Sequence, residues 1–456
     1  MTLRLVSRDA LAPASLVCKT WRSIALPLLY QSVQFCQEGE NRWQDVFLNR
    51  TIYGQEDGNL LSGYVNRLRV ERDMDEEELG DFYSTVARMD KLERLDWTVS
   101  ILQGTGVDWY GTLVRLCQEL PKLRSLSLTL AQNEIPLGAL DKIVPLTNLL
   151  ELSITLDGSI DEVPDNQLPN TLVELIQGAA NIESLDLVFV EGDDTGEAPW
   201  GSIDLFRKLS PHWFPNLRML KTESLYLVPI DNYGGLEFRQ FIRGNKKLEK
   251  ICLLMGGYDN TPDFLYPFPT VIPPADMEEM MPSIRHFGGP GVLVGELLKS
   301  GLTKQLQLLE LREPALSRLG GLRDVLLELD DSIIVELPSL KGLSYSKGCE
   351  EDDGWGAITD LLSKLSTGLL ALQELVLARF DWPKSSHLDQ LLGVLQQLPH
   401  IRRLTIDFEY PLHSTCEVAD AIQRFYQELG APCPELDIGV GRRVDFSPYL
   451  LEQVHS

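Results

Sequence analysis

The sequence predicts an α/β solenoid in which short parallel strands alternate with helices, and three observations lead to this fold class. Apolar residues recur with the spacing i, i+3 and i+5 about a dozen times between residues 65 and 401, in steps of 22 to 36 residues. The segments between these triplets have the 3.6-residue apolar period of amphipathic helices. Positions between the triplet residues are mostly polar, so we expect one face of the sheet to contact water.

Each triplet predicts one strand and the turn that leads into it. The residues at i+3 and i+5 point to the same side of a strand, and residue i fills the same core from the turn. A single strand and helix cannot bury an apolar face, whereas stacked repeats bury a continuous core. The strong triplets are Leu123/Leu126/Leu128, Leu149/Leu152/Ile154, Ile182/Leu185/Leu187, Leu248/Ile251/Leu253, Leu306/Leu309/Leu311, Leu340/Leu343/Tyr345, Leu372/Leu375/Leu377 and Ile401/Leu404/Ile406. The weaker ones are Val65/Leu68/Val70, Leu92/Leu95/Trp97, Leu217/Leu220 and Ile284/Phe287.

Helices are predicted between the strands, at 112–120, 172–179, 358–365 and 388–398. Prolines such as Pro121 and Pro399 should stop a helix before the next strand. A doubly wound α/β enzyme is the alternative, because it also alternates strands and helices. Its strands would be apolar on both faces, and the polar residues between the triplets argue against it.

Composition and charge narrow the classes of function. The chain has 456 residues, is 44% hydrophobic and 24% charged, and carries a formal net charge of -26, which is typical of a folded acidic protein. This charge disfavours nucleic acid and anionic membranes as partners. Seven scattered cysteines without a C-x-x-C pair predict free thiols in a reducing compartment, the cytoplasm and/or nucleus. Residues 1–13 do not predict a signal peptide, and no apolar run predicts a membrane span.

The triplets resemble the leucine-rich-repeat family over most of the chain, although the Asn that usually follows the last leucine is missing. This resemblance implies a horseshoe with a concave parallel β-sheet and outer helices. The long, irregular repeats are similar to those of substrate-binding F-box proteins.

A separate pattern lies at the N-terminus. The string SLVCKTWRSIALPLLY (15–30) resembles the C-terminal part of the F-box in its fungal form. The resemblance implies docking on the Skp-type adaptor of a cullin ubiquitin ligase. The adaptor-binding residues would be Leu16, Val17, Trp21, Ile24, Pro27, Leu28 and Tyr30. The alternative is an amphipathic cap that covers the first repeat.

The expected organisation has three parts: a truncated F-box-like helical segment at 1–36, a connector at 37–61, and about twelve irregular repeats at 62–456. The resemblance implies a non-catalytic substrate-recognition subunit of a Skp–cullin–F-box ligase. A protein-interaction scaffold without any ligase connection is the alternative.

Strand residues flanking the triplets, and aromatic residues in the loop 255–274, predict where a protein substrate binds. The candidates are Arg67, Arg94, Asp96, Ser127, Asp186, Lys221, Tyr258, Phe264, Tyr266, Phe268, Arg312 and Arg403. The aromatic residues could equally pack back onto the core. Acidic segments at 71–81, 157–165, 191–197 and 350–353 suggest a negative rim that attracts a basic partner, or simply a solubilising surface.

We find no sequence motif for catalysis or for a cofactor. The six histidines lie far apart, so neither a catalytic group nor a metal site is predicted. The glycine-rich stretch 288–296 lacks the G-x-G-x-x-G spacing of a dinucleotide-binding turn, and we interpret it as a loop.

Overall fold

The computed structural model describes residues 17–36, 61–101, 109–131, 145–157, 170–190, 202–209, 212–223, 234–254, 273–289, 291–312, 336–347, 354–366, 368–381, 385–408 and 435–440, together with single residues 13, 423, 426, 427 and 450. The chain divides into two compact units. The N-terminal unit contains Met1–Asp193 with Phe214–Leu217, and the C-terminal unit contains Asp194–Trp213 with Arg218–Ser456.

The described part of the N-terminal unit has a sheet of parallel strands that follow one another in chain order. Sequential parallel strands need a crossover of the same hand at every step, which places the connecting helices on one side. This order differs from that of a doubly wound sheet, in which the direction of winding reverses. The strands are β1 (Ser32–Cys36), β2 (Arg67–Met74), β3 (Arg94–Ile101), β4 (Ser125–Ala131), β5 (Glu151–Asp157) and β6 (Ser184–Val190).

The C-terminal unit repeats this plan, again with parallel strands in chain order. Its described strands are β7 (Met219–Glu223), β8 (Lys250–Leu254), β9 (His286–Gly289), β10 (Leu308–Arg312), β11 (Gly342–Ser346), β12 (Glu374–Phe380), β13 (Arg403–Phe408) and β14 (Glu435–Val440). Each unit is therefore a stretch of α/β solenoid, as predicted.

Helices connect the strands where the amphipathic period predicted them. The described helices are α1 (Lys19–Leu29), α2 (Glu76–Val86), α3 (Trp109–Glu119), α4 (Asn170–Gly178), α5 (Ser202–Leu209), α6 (Gly234–Gly244), α7 (Pro274–Met280), α8 (Gly291–Leu298), α9 (Gly354–Leu365) and α10 (Ser385–Leu395). Short 3₁₀ turns lie at Leu61–Tyr64 and Gly301–Lys304. Among the described residues, no helix has both the length and the apolar character to cross a membrane.

The leucine triplets form the core, and the twelve predicted strands are confirmed. In the triplet Leu123/Leu126/Leu128, all three side chains are buried. The backbone fixes the register with a repeated pair of hydrogen bonds. The Glu249 carbonyl, for example, accepts from the N–H groups of Arg285 (2.8 Å) and His286 (3.0 Å) one repeat later. The same pair recurs between neighbouring repeats of each unit, so equivalent positions of successive repeats lie side by side.

Two predicted boundaries change in the structure. The strand β1 lies within 1–36, for which the sequence predicts a helical segment, and it pairs with β2 from Ser32↔Arg67 onward. The glycine-rich stretch 288–296 is not a loop, because Gly288 and Gly289 belong to β9 and α8 begins at Gly291. The expected connector 37–61 lies outside the described residues apart from Leu61.

We call the side of each sheet opposite the triplet side chains its second face. In the N-terminal unit this face is partly exposed, and Arg67 and Arg94 are exposed there. In the C-terminal unit, Glu310, Glu374 and Thr405 point to the second face and are nevertheless buried. The prediction of a solvent-exposed second face is therefore wrong at these residues, because the alternation of polar and apolar side chains along a strand does not show whether the polar ones are buried.

Candidate functional site

Three side chains with metal-binding atoms meet on the second face of the C-terminal unit. Cys252 lies on β8, His286 on β9 and Glu310 on β10. The parallel register pairs Cys252 with Gly288 and Gly288 with Glu310, so these residues form one row across three strands. His286 precedes Gly288 by two residues and therefore points to the same face.

The contacts within this cluster are short and all three residues are buried. The Nε2 atom of His286 lies 2.5 Å from Oε1 of Glu310, within hydrogen-bonding distance. The Sγ atom of Cys252 lies 3.8 Å from the same Nε2 and 3.7 Å from the same Oε1. Because the thiol and the carboxylate both face one imidazole nitrogen, the three donors converge on a common point.

Gly288 provides the space in which these side chains meet. A Cβ atom at this position would lie 3.3 Å from Cys252 Sγ and 3.2 Å from Glu310 Cβ. Both distances are tighter than ordinary van der Waals contact, so the missing side chain opens the row between Cys252 and Glu310. Glycine normally weakens a strand, and a glycine in a strand interior often marks a close approach of this kind.

The neighbouring charges on the second face are also arranged across strands. Lys221 on β7 pairs in register with Cys252. Further along the sheet, the Arg403 side chain lies 3.7 Å from the buried Glu374 carboxylate and 3.9 Å from that of Glu435. Buried charge in this unit is therefore compensated by side chains on adjacent strands.

The helix α1 carries the residues that resemble the F-box. Ala25 is buried, and Leu28 and Leu29 pack against it. Trp21 is 37% exposed and Ile24 49% exposed, and Val17, just before the helix, is also exposed. Pro27, Leu28 and Tyr30 are half-buried, and the side chain of Leu16 lies outside the described residues.

The predicted substrate residues of the N-terminal unit share its second face. Arg67 and Arg94 pair in register on β2 and β3, and both are exposed. Arg94 Nε donates to Asp96 Oδ1 at 2.9 Å. Asp96 pairs in register with Ser127 on β4, and both are half-buried, as is Asp186 on β6. The structure thus places two neighbouring register rows of polar side chains on this face, one with Arg67 and Arg94 and the other with Asp96 and Ser127.

The other predicted substrate residues are not brought together with these. Lys221 and Arg403 are half-buried on the C-terminal unit, and the side chain of Arg312 is not among those described. The aromatic residues Tyr258, Phe264, Tyr266 and Phe268 lie outside the described residues.

Of the four acidic segments, 71–81 is described most fully, and part of its acid has a local structural role. The Asp75 side chain accepts a hydrogen bond from the Glu78 N–H at 2.8 Å, and Glu78 accepts one from the Asp75 N–H at 3.3 Å. This capping box, together with Glu76 and Glu77 in the first turn, stabilises the start of α2. A rim that attracts a basic partner stays a prediction.

Sequence reasoning missed the Cys252–His286–Glu310 cluster, because these residues are 34 and 24 positions apart. The signal was nevertheless available in the triplets. Cys252 and Glu310 each lie four residues after the first leucine of their own triplet, and Gly288 lies four residues after Ile284. Aligning the triplets places the three positions in one row.

Comparisons with known proteins do not assign the chain to a family. No protein-family model matches the chain. No curated protein matches it either. Among solved structures, the crystal structure of the Rad7–Elc1 complex in yeast matches with 15% identity, covering 98% of this chain and 88% of that chain, with a TM-score of 0.41. A structural genomics target from Bacteroides fragilis matches with 11% identity, covering 83% of this chain and 76% of that chain, with a TM-score of 0.31.

Proposed function

We propose that this protein is the substrate-recognition subunit of a Skp–cullin–F-box ubiquitin ligase. It would bind the Skp-type adaptor through α1 and a protein substrate through its repeats, while other subunits transfer ubiquitin. The proposal depends mainly on one observation: α1 contacts the 3₁₀ turn Leu61–Tyr64 and buries Ala25, but it leaves Trp21 and Ile24 exposed.

An exposed Trp beside an exposed Ile is a feature that favours binding to another protein. Tryptophan is among the residues most enriched in the energetic centres of protein interfaces. Exposed apolar groups gain about 25 cal/mol for every Å² that a partner removes from water. These two side chains belong to the stretch whose sequence resembles the F-box, so a Skp-type adaptor is the partner that the resemblance favours.

The second face of the N-terminal unit supports the other half of the proposal. Arg67 and Arg94 are exposed side by side. Asp96 and Ser127 form the neighbouring row, two residues further along their strands, with groups that accept and donate hydrogen bonds. Side chains on a rigid sheet lose less freedom on binding than side chains on loops, which favours a specific interface. We therefore assign substrate binding to this face.

Adaptor binding tests the proposal with a matched pair of double variants. In Trp21→Ala/Ile24→Ala, we expect the affinity for a purified Skp-type adaptor to fall at least ~30-fold, because an interface centre contributes about 2 kcal/mol or more. The control is Trp213→Ala/Leu370→Ala, which removes two large apolar residues that are even more exposed (67% and 57%) and lie in the C-terminal unit. Isothermal titration calorimetry of the full chain measures the affinity, and thermal unfolding checks the fold of every variant.

Two outcomes contradict this function. One is a folded wild-type chain that does not bind the adaptor, which would leave the interaction scaffold without a ligase connection. The other is an equal loss of affinity in both double variants, which would show that α1 is not the contact.

A further inference from the structure

The buried cluster on β8, β9 and β10 has the properties of a metal site. We infer that Cys252 Sγ, His286 Nε2 and a carboxylate oxygen of Glu310 bind one divalent transition-metal ion, and that Zn²⁺ is the ion that fits best. The ligand atoms of the three residues lie within 4.8 Å of one another. No part of this inference depends on binding to an adaptor.

The distances are close to those that a tetrahedral ion requires. Zinc bonds of about 2.0–2.3 Å at tetrahedral angles place neighbouring ligand atoms roughly 3.3–3.6 Å apart. The Cys252 sulfur already lies 3.8 Å from His286 Nε2 and 3.7 Å from Glu310 Oε1. Only the 2.5 Å contact between His286 and Glu310 has to open, by about 0.9 Å, and a rotation of the carboxylate supplies this.

The chemical nature of the donors selects the ion. Thiolate and imidazole suit Zn²⁺ and neighbouring transition metals, whereas Mg²⁺ and Ca²⁺ prefer oxygen ligands. A thiolate and a carboxylate carry two negative charges, which a dication neutralises. Burial of the three ligands with the ion therefore leaves no net charge in the interior, which otherwise would be costly. A water or one further ligand would complete the tetrahedron.

The geometry argues against a catalytic relay of the same three residue types. In a nucleophile–histidine–acid relay, the imidazole uses one nitrogen for the nucleophile and the other for the carboxylate. Here Cys252 and Glu310 both face His286 Nε2. A shared nitrogen cannot pass a proton from one partner to the other, but it can be one of three ligands of a common ion.

The ion would connect three successive repeats of the C-terminal unit. The strands β8, β9 and β10 are already joined by backbone hydrogen bonds, and the ion adds a link between their side chains on the second face. In a solenoid each repeat is stabilised mainly by its neighbours, so a link across three repeats stabilises that region locally. The inference therefore assigns a structural role to the metal.

Zinc titration of the full chain tests the inference. Chelator-treated wild-type protein should bind one Zn²⁺ per chain in competition with a chromophoric chelator. Co²⁺ should give a near-ultraviolet thiolate-to-metal charge-transfer band, because one ligand is a sulfur. In Cys252→Ser, both stoichiometric Zn²⁺ binding and the Co²⁺ thiolate band should be lost. The affinity for Zn²⁺ should fall by more than the roughly 10–100-fold that is typical when a residue that only supports a metal ligand is removed.

The chain offers a matched control and two milder variants. Cys117 is also a buried free cysteine, but it lies in the N-terminal unit on α3, so Cys117→Ser should retain Zn²⁺ and the Co²⁺ band. Glu310→Gln keeps the size of the side chain and should weaken Zn²⁺ binding in a folded protein. Gly288→Ala keeps all three ligands but adds a Cβ 3.3 Å from the Cys252 sulfur, and it should also weaken binding.

Hydrogen exchange shows where the ion acts. Added Zn²⁺ should slow amide exchange in peptides covering β8 to β10, whereas those covering β2 to β4 should be unaffected. Three results would overturn the inference: wild-type protein without stoichiometric Zn²⁺, a Co²⁺ thiolate band that persists in Cys252→Ser, or loss of the site in Cys117→Ser. If Cys252→Ser does not fold, unchanged Zn²⁺ affinity in folded Glu310→Gln and Gly288→Ala decides against the site.

Discussion

The two faces of β4 allow a direct test of the strand assignment with neighbouring substitutions. Leu128 is fully buried on the triplet side and pairs in register with Trp97 on β3 and Ile154 on β5. Ser127 precedes it on the second face and is half-buried. Leu128→Ala removes buried carbon atoms and leaves a cavity, so the free energy of unfolding should fall by about 2–5 kcal/mol. Ser127→Ala should change it by less than about 0.5 kcal/mol.

The difference is large enough to measure in the full chain. For a unit of roughly 200 residues, 1 kcal/mol shifts the Tm by about 2–4 °C, so Leu128→Ala should lower the Tm of the N-terminal unit by roughly 4–20 °C. Urea unfolding gives the free energy, and hydrogen exchange of peptides from β3 to β5 localises the effect because repeats can open separately. The reasoning is refuted if Ser127→Ala destabilises the protein as much as Leu128→Ala does.

Two further predictions concern pH and the substrate face. Burial raises the pKa of the Cys117 thiol from 9.0 to about 12, so its contribution to stability is complete below pH 9 and is lost as the pH rises toward 12. By pH 10 the free energy of unfolding, measured with urea, should have fallen by about 1 kcal/mol because of this group. A wild-type chain that loses no more stability between pH 8 and pH 10 than Cys117→Ala does would contradict the prediction. Under the proposed function, charge reversal in Arg67→Glu/Arg94→Glu should reduce the recovery of proteins that accumulate on this chain under proteasome inhibition, measured by quantitative mass spectrometry. The Skp-type adaptor should co-purify unchanged, and an undiminished set of recovered proteins would rule out this face.

The strands were predictable because their signal is local. A triplet such as Leu248/Ile251/Leu253 encodes both the turn and the inward side of the strand, and all three residues are buried. The strand β1 obeys the same rule with Tyr30, Val33 and Phe35, but its first position is aromatic and lies within the F-box-like string. The strand β14 was missed for a related reason, since Leu436 and Ile438 follow a cysteine and not a leucine at the first position.

Burial of the second face was not predictable from the same pattern. Glu310 and Glu374 alternate with apolar residues just as exposed polar residues do on β2 and β3. Whether such a side chain is buried depends on its neighbours on adjacent strands, such as His286 beside Glu310 and Arg403 beside Glu374, and these neighbours are 24 and 29 residues away in sequence. The row formed by Cys252, Gly288 and Glu310 has the same origin, because it requires the register between strands and not the period within one strand.

The charged residues on the two second faces differ in burial: the arginines of the N-terminal unit are exposed, whereas the glutamates of the C-terminal unit are buried. Arg67 and Arg94 keep their charges in contact with solvent, where a partner can reach them at a small desolvation cost. Glu310 and Glu374 are buried, and a buried carboxylate without a compensating partner would destabilise the fold by several kcal/mol. Glu310 lies beside His286, and Glu374 lies beside Arg403. Polar side chains that already satisfy one another inside the protein have less to offer an incoming partner. Under the proposed function, the exposed arginines of the N-terminal unit are therefore the better surface for recognition. Under the inferred metal site, the buried cluster of the C-terminal unit is better suited to holding an ion than to holding a substrate.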